Sequence, residues 1–291
     1  MRRILLGLAA AVGALAFALG IRRRVVLRNL ALAFPEKPEA ERRAIARATY
    51  VQFARVIVEF LLLPRLSADE VRRIMVFEGW ENFETGKARG KGVIACTAHF
   101  GNFEVLAAAN TIAGTPITMV SRAMGRSRFN DLWRSTRAKA GVEDLVVGRG
   151  NVVRGAIRAL ENGRVLGYVI DQNEPSHHAV FPTFFGVPAA TSPTPAVLAR
   201  RTGAAVVFTV AIPLPEGRHR VLIEGPLDVP DTGDKAADDL AFMQQLNDLL
   251  ERRVREHPQC WYWFHRRWKR SGDAPASTPT STPTSAEGSP V

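Results

Sequence analysis

The most constraining feature of the sequence is an alternation of short apolar runs with helical patterns that begins near residue 90. Residues 92–98 (GVIACTA) form a continuous apolar run opened by glycine, and residues 165–170 form another. Runs of this length are typical of strands that are buried on both faces. Between them lie a third apolar run at 116–120 and helical patterns at 103–112 and 127–140. This alternation predicts an α/β fold with a mixed sheet layered by helices.

The N-terminal sequence is typical of a membrane-associated segment. Residues 4–21 contain no charge, and three arginines, Arg22 to Arg24, follow them. A helix of this length spans about 27 Å, which is marginal for a hydrocarbon core of roughly 30 Å. A cleaved signal peptide, a spanning helix and a membrane-dipping anchor all fit, but arginines directly after the apolar run make a poor cleavage region. Because basic flanks suit anionic head groups, we predict an uncleaved membrane-associated helix at 1–24.

The remaining chain divides into a folded part and a tail. Apolar residues make up 46% of the sequence, which is normal for a packed domain. Residues 272–291 are rich in serine, threonine and proline and contain no aromatic residue, a composition typical of disorder. We therefore predict a folded domain at 25–270 and a disordered tail at 271–291.

The net charge of +11 indicates an anionic partner. Nucleic acid, an anionic membrane surface and an acidic protein all suit this charge. Residues 261–270 interleave aromatic and basic side chains, a pattern found in nucleic-acid-binding proteins and at membrane interfaces. The apolar N-terminus favours the membrane interpretation. Cys96 and Cys260 lack the spacing of metal ligands, so no metal site is predicted, and no glycine-rich phosphate loop is present.

The strongest chemical signal is the segment His99-Phe-Gly-Asn-Phe-Glu104, which lies between a predicted strand and a predicted helix. His99 therefore lies at the carboxyl end of a strand, where α/β folds place their chemistry. On one continuous helix, residues five apart would point about 140° apart. Gly101 and Asn102 supply a bend that would let Glu104 hold one imidazole nitrogen, leaving the other to accept a proton. A structural histidine near a turn is the alternative.

HFGNFE resembles the histidine–four residues–acid motif of the lysophospholipid acyltransferase superfamily. Three further segments resemble the late acyltransferases of lipid A biosynthesis more closely. They are residues 29–36 (NLALAFPE), the central pieces DQN at 171–173 and FFG at 184–186, and residues 261–268 (WYWFHRRW). The likeness runs from about residue 4 to residue 270 with the motifs in order, and it implies a glycerolipid acyltransferase-like fold.

The resemblance implies that His99 is the general base that deprotonates an acceptor hydroxyl, and that Glu104 orients it. Arg137 matches an arginine of the family's basic helix, and Arg122 follows a predicted strand; both are expected to bind substrate phosphate. Asp171 also ends a predicted strand and should approach the same sheet edge as His99. It would position substrate or one of these arginines, although a role as a turn cap is equally compatible.

The predicted function is therefore O-acyl transfer from an acyl thioester, on acyl carrier protein or coenzyme A, to a lipid A precursor or related glycolipid. No cofactor and no nucleic acid are expected, and the expected location is the cytoplasmic face of a bacterial inner membrane. Lysophospholipids and other glycolipids are alternative acceptors. Two other classes stay open: a non-catalytic membrane-attached nucleic-acid binder and a metal-dependent hydrolase.

Overall fold

The computed structural model describes residues 2–112, 114–122, 128–147 and 151–274. Within these ranges the helices are α1 (Arg2–Ala18), α2 (Arg23–Ala33), α3 (Glu39–Leu62), α4 (Ala68–Ile74), α5 (Trp80–Ala88), α6 (Phe103–Ile112), α7 (Arg128–Lys139), α8 (Val152–Glu161), α9 (Thr194–Thr202) and α10 (Lys235–Glu256). The strands are β1 (Met75–Glu78), β2 (Val93–Thr97), β3 (Ile117–Arg122), β4 (Glu143–Val147), β5 (Val165–Val169), β6 (Thr183–Phe184), β7 (Val187–Pro188), β8 (Ala205–Pro213) and β9 (His219–Leu227).

Seven of the described strands form one sheet in the order β1-β9-β8-β2-β5-β3-β4, and β6 and β7 form a separate hairpin. All neighbours in the large sheet are parallel except β8 and β9, which run antiparallel. The central strand β2 is buried along its whole length, and helices cover the sheet. The predicted α/β fold with a mixed sheet is confirmed.

Local sequence signals explain where several elements begin. Asn151 caps α8, since its side chain accepts a hydrogen bond from the backbone of Arg154 at 3.0 Å. Asp234 caps α10 in the same way. Ser67 and Glu70 form a capping box at the start of α4. These caps satisfy backbone N–H groups that a helix start leaves without partners.

The helix α1 packs antiparallel along α3. Phe17 contacts Tyr50 edge to face, with 5.4 Å between ring centroids, and Arg2 donates to Glu59 at 3.1 Å. Gly13 faces the Tyr50 carbonyl so closely that a Cβ atom would lie 2.4 Å from its oxygen. The opposite face of α1 presents the exposed apolar side chains of Ile4, Leu8, Val12 and Leu15, and Leu19 is exposed just after the helix ends. The N-terminal helix therefore has one face seated on the domain and one apolar face turned outward.

Among the described residues, no single helix is both long and apolar enough to cross a membrane. The pair formed by residues 4–18 and α2 passes that test of length and composition only when taken together, and its two helices meet at 88°.

The tryptophans of the C-terminal segment lie in the core, which corrects their interpretation as a membrane-interface surface, while Arg266 and Lys269 are exposed. Trp261, Trp263 and Trp268 are each less than 9% exposed, and the Arg267 guanidinium is fully buried. Arg267 donates to backbone carbonyls and to the Thr191 hydroxyl at 2.6 Å. The aromatic residues of this segment therefore pack in the core, and Arg267 and Arg270 satisfy backbone carbonyls. Most of the predicted tail, residues 275–291, lies outside the described residues.

Candidate active site

The topology of the sheet brings the predicted site residues to one edge. β2 and β5 are adjacent and parallel, with Thr97 paired to Val169, so both strands end level. His99 and Asp171 each follow two residues later and therefore meet. Arg122 ends β3, the neighbour of β5 on its other side. Asp171 thus approaches the same edge as His99, as the sequence predicted.

Asp171 binds His99 through both the ring and the backbone. The His99 Nδ1 atom lies 2.8 Å from one carboxylate oxygen, and the His99 backbone N–H donates to the other oxygen at 3.0 Å. Trp261 donates its indole N–H to that second oxygen at 2.8 Å. Because an ionised carboxylate only accepts, Nδ1 carries the hydrogen and Nε2 is left as an acceptor. Nε2 lies 3.5 Å from the side-chain amide of Gln172.

Neighbouring side chains keep the Asp171 carboxyl ionised. Burial alone would raise the pKa of this carboxyl, but the neighbouring His99 and the indole of Trp261 hold it well below its usual range. The Asp171 carbonyl oxygen lies 2.7 Å from Nε2 of His265. Burial lowers the pKa of His265 to about 4, so its ring is neutral at pH 7 and donates a hydrogen to that carbonyl. Asp171 is therefore an ionised partner of the His99 ring at neutral pH, and it is also bound by Trp261 and His265.

The turn after His99 is fixed by contacts that only certain residues allow. Gly101 adopts a φ of 56°, and a Cβ atom there would lie 1.7 Å from the Ala211 carbonyl oxygen. The Asn102 side chain caps the start of α6 by accepting from Val105 at 3.1 Å and donates to the buried Glu59 at 2.8 Å. The predicted bend is present, and its consequence is to seat the turn on β8 and α3.

The expected contact between Glu104 and His99 is wrong. Glu104 is buried, and its carboxylate accepts two hydrogen bonds from the guanidinium of Arg137, at 2.6 and 2.8 Å, and one from the indole of Trp133 at 3.2 Å. The bend directs the first turn of α6 toward α7, so Glu104 faces α7 while Asp171 occupies the imidazole. The carboxylate that contacts the His99 ring is therefore that of Asp171, where the sequence predicted that of Glu104.

The contacts of Arg137 bear on its expected role as a phosphate ligand, which stays a prediction. Its third guanidinium nitrogen donates to Asp144 at 2.6 Å, so all three nitrogens contact carboxylates. Burial opposes the charge of Arg137, but Glu104 and Asp144 raise its pKa above the ordinary value. A guanidinium held between two carboxylates is already neutralised. Arg137 therefore positions Glu104 and ties α6 to α7 and β4.

A cleft of about 470 Å³ opens beside this network, and the His99 ring reaches it with a fifth of its side chain exposed. Apolar side chains line much of the cleft, namely Phe53, Ile57, Phe103, Val120, Val146 and Val169. Arg122 also lines the cleft, is about half exposed, and has a loose ion pair to Glu174 at 3.7 Å. The cleft thus combines an apolar lining, a histidine nitrogen free to accept a proton and an exposed guanidinium.

A family model described as bacterial lipid A biosynthesis acyltransferase matches residues 2–270. The chain belongs to this family. It is therefore an acyltransferase, and the predicted family and enzyme class are confirmed.

Several relatives within the lipid A acyltransferase family come from Escherichia coli strain K12. The chain is 27% identical to the lipid A biosynthesis lauroyltransferase over 253 residues, covering 85% of this chain and 79% of the relative. It is 26% identical to the palmitoleoyltransferase with the same coverage, and 25% identical to the myristoyltransferase, covering 83% and 73%. A solved 1-acyl-sn-glycerophosphate acyltransferase from Thermotoga maritima aligns with 90% of this chain and 100% of its own at 15% identity, with a TM-score of 0.40.

Sequence reasoning missed three side chains of this acyltransferase site. Trp261 and His265 secure Asp171, although both lie in the C-terminal segment whose resemblance to the family was recognised. Arg134 lines the cleft from α7, one helical turn before Arg137. The signal for Arg134 was helical spacing, since a residue three positions before Arg137 shares its face. Among the described residues, no cluster of three or more side chains suited to a metal ion is found.

Proposed function

We propose that this acyltransferase moves a fatty acyl chain from an acyl thioester to a hydroxyl group of a lipid A precursor or a related phosphoglycolipid. The observation that carries the proposal is the His99–Asp171 pair, which leaves Nε2 of His99 as a base at the wall of a cleft that apolar side chains line in part. Membership of the lipid A biosynthesis family and the named activities of its E. coli members support the choice of acceptor.

In the proposed reaction, Nε2 of His99 removes the proton of the acceptor hydroxyl. The oxygen then attacks the thioester carbonyl carbon, forming a carbon–oxygen bond and breaking the carbon–sulfur bond. The imidazolium returns its proton to the departing thiolate, so the enzyme ends in its starting state. Asp171 stabilises the imidazolium and keeps the ring oriented, as a carboxylate does in other histidine bases.

This mechanism needs no nucleophile from the protein. Cys96 is fully buried in β2, and burial raises the pKa of its thiol above the ordinary value, so it stays protonated. Direct transfer from thioester to hydroxyl is therefore the simplest reaction for the groups that line the cleft. The apolar side chains there are suited to an acyl chain.

The proposed donor is acyl carrier protein or coenzyme A. An acidic carrier protein suits the net charge of +11, because opposite charges accelerate and orient association. The proposed location is the cytoplasmic face of the inner membrane, with the outward apolar face of α1 in contact with lipid. A lysophospholipid or another glycolipid is the alternative acceptor.

Lipid mass spectrometry of the host with and without the gene tests the proposal. We expect deletion to remove one acyl chain from a lipid A species, and a plasmid copy of the gene to restore it. A plasmid copy carrying His99→Ala should not restore it. If lipid A is unchanged and a phospholipid loses an acyl chain, the acceptor is a lysophospholipid and the proposed lipid A acceptor is wrong. No change in any lipid class would contradict the proposed function.

A further inference from the structure

The cleft contains a guanidinium for which the described part of the chain provides no partner. Among the residues that the structure describes, three arginines line it: Arg122, Arg134 and Arg137. Arg137 is held by two carboxylates, and Arg122 has Glu174 at 3.7 Å. Arg134 forms no ion pair and no hydrogen bond with any residue that the structure describes, and its Nε atom is buried without a partner. A buried N–H group that lacks an acceptor is unfavourable, so such groups are normally satisfied by protein, water or ligand.

The orientation of Arg134 follows from its helix. Asn130, Arg134 and Arg137 stand four and seven positions apart on α7, and all three line the cleft. This spacing places them on one helical face. Trp133 fixes the same face, because its ring packs on Phe60 with 4.1 Å between centroids and its indole donates to Glu104. Arg134 therefore projects from a rigid surface into the same cleft that His99 reaches.

We infer that Arg134 binds a phosphate group of a substrate in the cleft. A guanidinium matches phosphate oxygens with two parallel N–H bonds, and it is the preferred side chain for phosphate recognition. The inference rests on the proposed function, in which the phosphopantetheine of the donor and the phosphoglycolipid acceptor both carry phosphate. It also gives the two arginines of α7 different roles: Arg137 pairs with carboxylates of the protein, and Arg134 has the phosphate-binding role predicted for Arg137.

The competing explanation is electrostatic compensation inside the protein. Arg137 with Glu104 and Asp144 carries a net charge of −1, and Arg134 projects from the same helix face. If compensation were its purpose, replacing Arg134 by glutamine would lower stability and affect all substrates alike. If it binds phosphate, the same replacement affects only ligands that carry phosphate. The two explanations therefore differ in a measurable way.

The test compares Arg134→Gln with Arg128→Gln in purified full-length protein. Arg128 is exposed at the start of α7 and lies outside the cleft, so it controls for loss of one positive charge. Steady-state kinetics would compare two kinds of donor. The first is acyl-coenzyme A or acylated acyl carrier protein, and the second is acyl-pantetheine, which lacks the phosphate. A second arm would compare a phosphorylated glycolipid acceptor with its dephosphorylated form. Each arm identifies one source of the phosphate.

We expect Arg134→Gln to raise the KM of one phosphate-bearing substrate about ten- to a hundredfold, as loss of a charge-assisted contact does. The KM of the matching phosphate-free analogue should change less than threefold, and Arg128→Gln should resemble the wild type. An equal loss with both members of each pair would overturn the inference, as would an equal effect of Arg128→Gln.

Pyrophosphate provides a readout that is independent of turnover. We expect pyrophosphate to raise the melting temperature of the wild-type protein and of Arg128→Gln. The melting temperature of Arg134→Gln should not change. An equal shift in all three proteins would overturn the phosphate site. If the wild-type protein transfers no acyl chain while pyrophosphate still distinguishes Arg134→Gln, the proposed function fails and the anion site stands.

Discussion

Replacing Asp171 by asparagine should prevent His99 from acting as a base while leaving the protein folded. One carboxylate oxygen of Asp171 accepts from two N–H groups, the His99 backbone at 3.0 Å and the Trp261 indole at 2.8 Å. In Asp171→Asn the amide oxygen has to occupy that position. The flipped amide would direct its NH2 group at both donors and leave them unsatisfied, at about 1–3 kcal/mol each, or roughly 2–6 kcal/mol together.

The amide NH2 group then faces Nδ1 of His99, which is 2.8 Å from the other carboxylate oxygen in the wild-type protein. Nδ1 must become the acceptor, so the hydrogen moves to Nε2, the nitrogen that has to take the proton from the acceptor hydroxyl. When Nε2 carries a hydrogen it cannot act as a base. The expected fall in turnover is roughly 100- to 10,000-fold, the range for loss of a general base or of its correct tautomer.

The assay is turnover of purified Asp171→Asn with saturating donor and acceptor. Loss of one charge-assisted bond costs about 1.5–3 kcal/mol, so the melting temperature should fall by roughly 3–12 °C and the protein should stay folded. Asp238→Asn is the matched control, because Asp238 is also buried but bonds Thr232, outside the cleft. Turnover of Asp171→Asn within tenfold of wild type would refute the reasoning.

The low pKa of Asp171 also predicts how stability depends on pH. Its pKa is lower in the folded chain than its ordinary value near 3.9, so its contribution is full above that value and is lost as the pH falls below it. Chemical denaturation between pH 5 and pH 2 should therefore show a smaller loss of unfolding free energy in Asp171→Asn than in the wild type. Equal losses would show that Asp171 is not held ionised by the fold.

Three further predictions follow from the contacts of other residues. Glu104→Gln breaks the buried pair with Arg137, so it should lower the free energy of unfolding by about 3–5 kcal/mol, measured by denaturation, while retaining more turnover than Asp171→Asn. Arg122→Lys should raise the KM of one phosphate-bearing substrate about tenfold in kinetic assays, because Arg122 lines the cleft with only a loose ion pair and lysine lacks the planar fork of arginine; a change below about threefold would contradict the expected phosphate contact. Leu8→Glu on the exposed face of α1 should release the protein from membranes in a pelleting assay without lowering its melting temperature.

The strands and helices that carry the site were predictable because their signals are local. Residues 92–98 and 165–170 gave β2 and β5 within two residues at each end, and residues 103–112 gave α6. The edge strands β1 and β4 were not predicted. β1 has four residues, and β4 opens with Glu143 and Asp144, so neither forms the continuous apolar run of a central strand.

The partner of His99 was not predictable from spacing alone. His99 and Glu104 lie close in sequence, but the bend at Gly101 turns α6 so that Glu104 faces Arg137 instead. Asp171 lies 72 positions from His99 and reaches it because β5 pairs with β2. Strand order decides such contacts, and the sequence specified only that both residues end strands. The apolar N-terminal run likewise could not reveal that one face of α1 packs on α3.

The most direct test of the central claim is acyl transfer by purified protein, with the ester product quantified by mass spectrometry. The reaction would contain an acyl thioester donor and a phosphorylated lipid A precursor, and it would compare wild type with His99→Asn. The account predicts an ester on the acceptor with wild type, and at least a hundredfold less with His99→Asn at an unchanged melting temperature. Ester formation by His99→Asn within tenfold of wild type would contradict it.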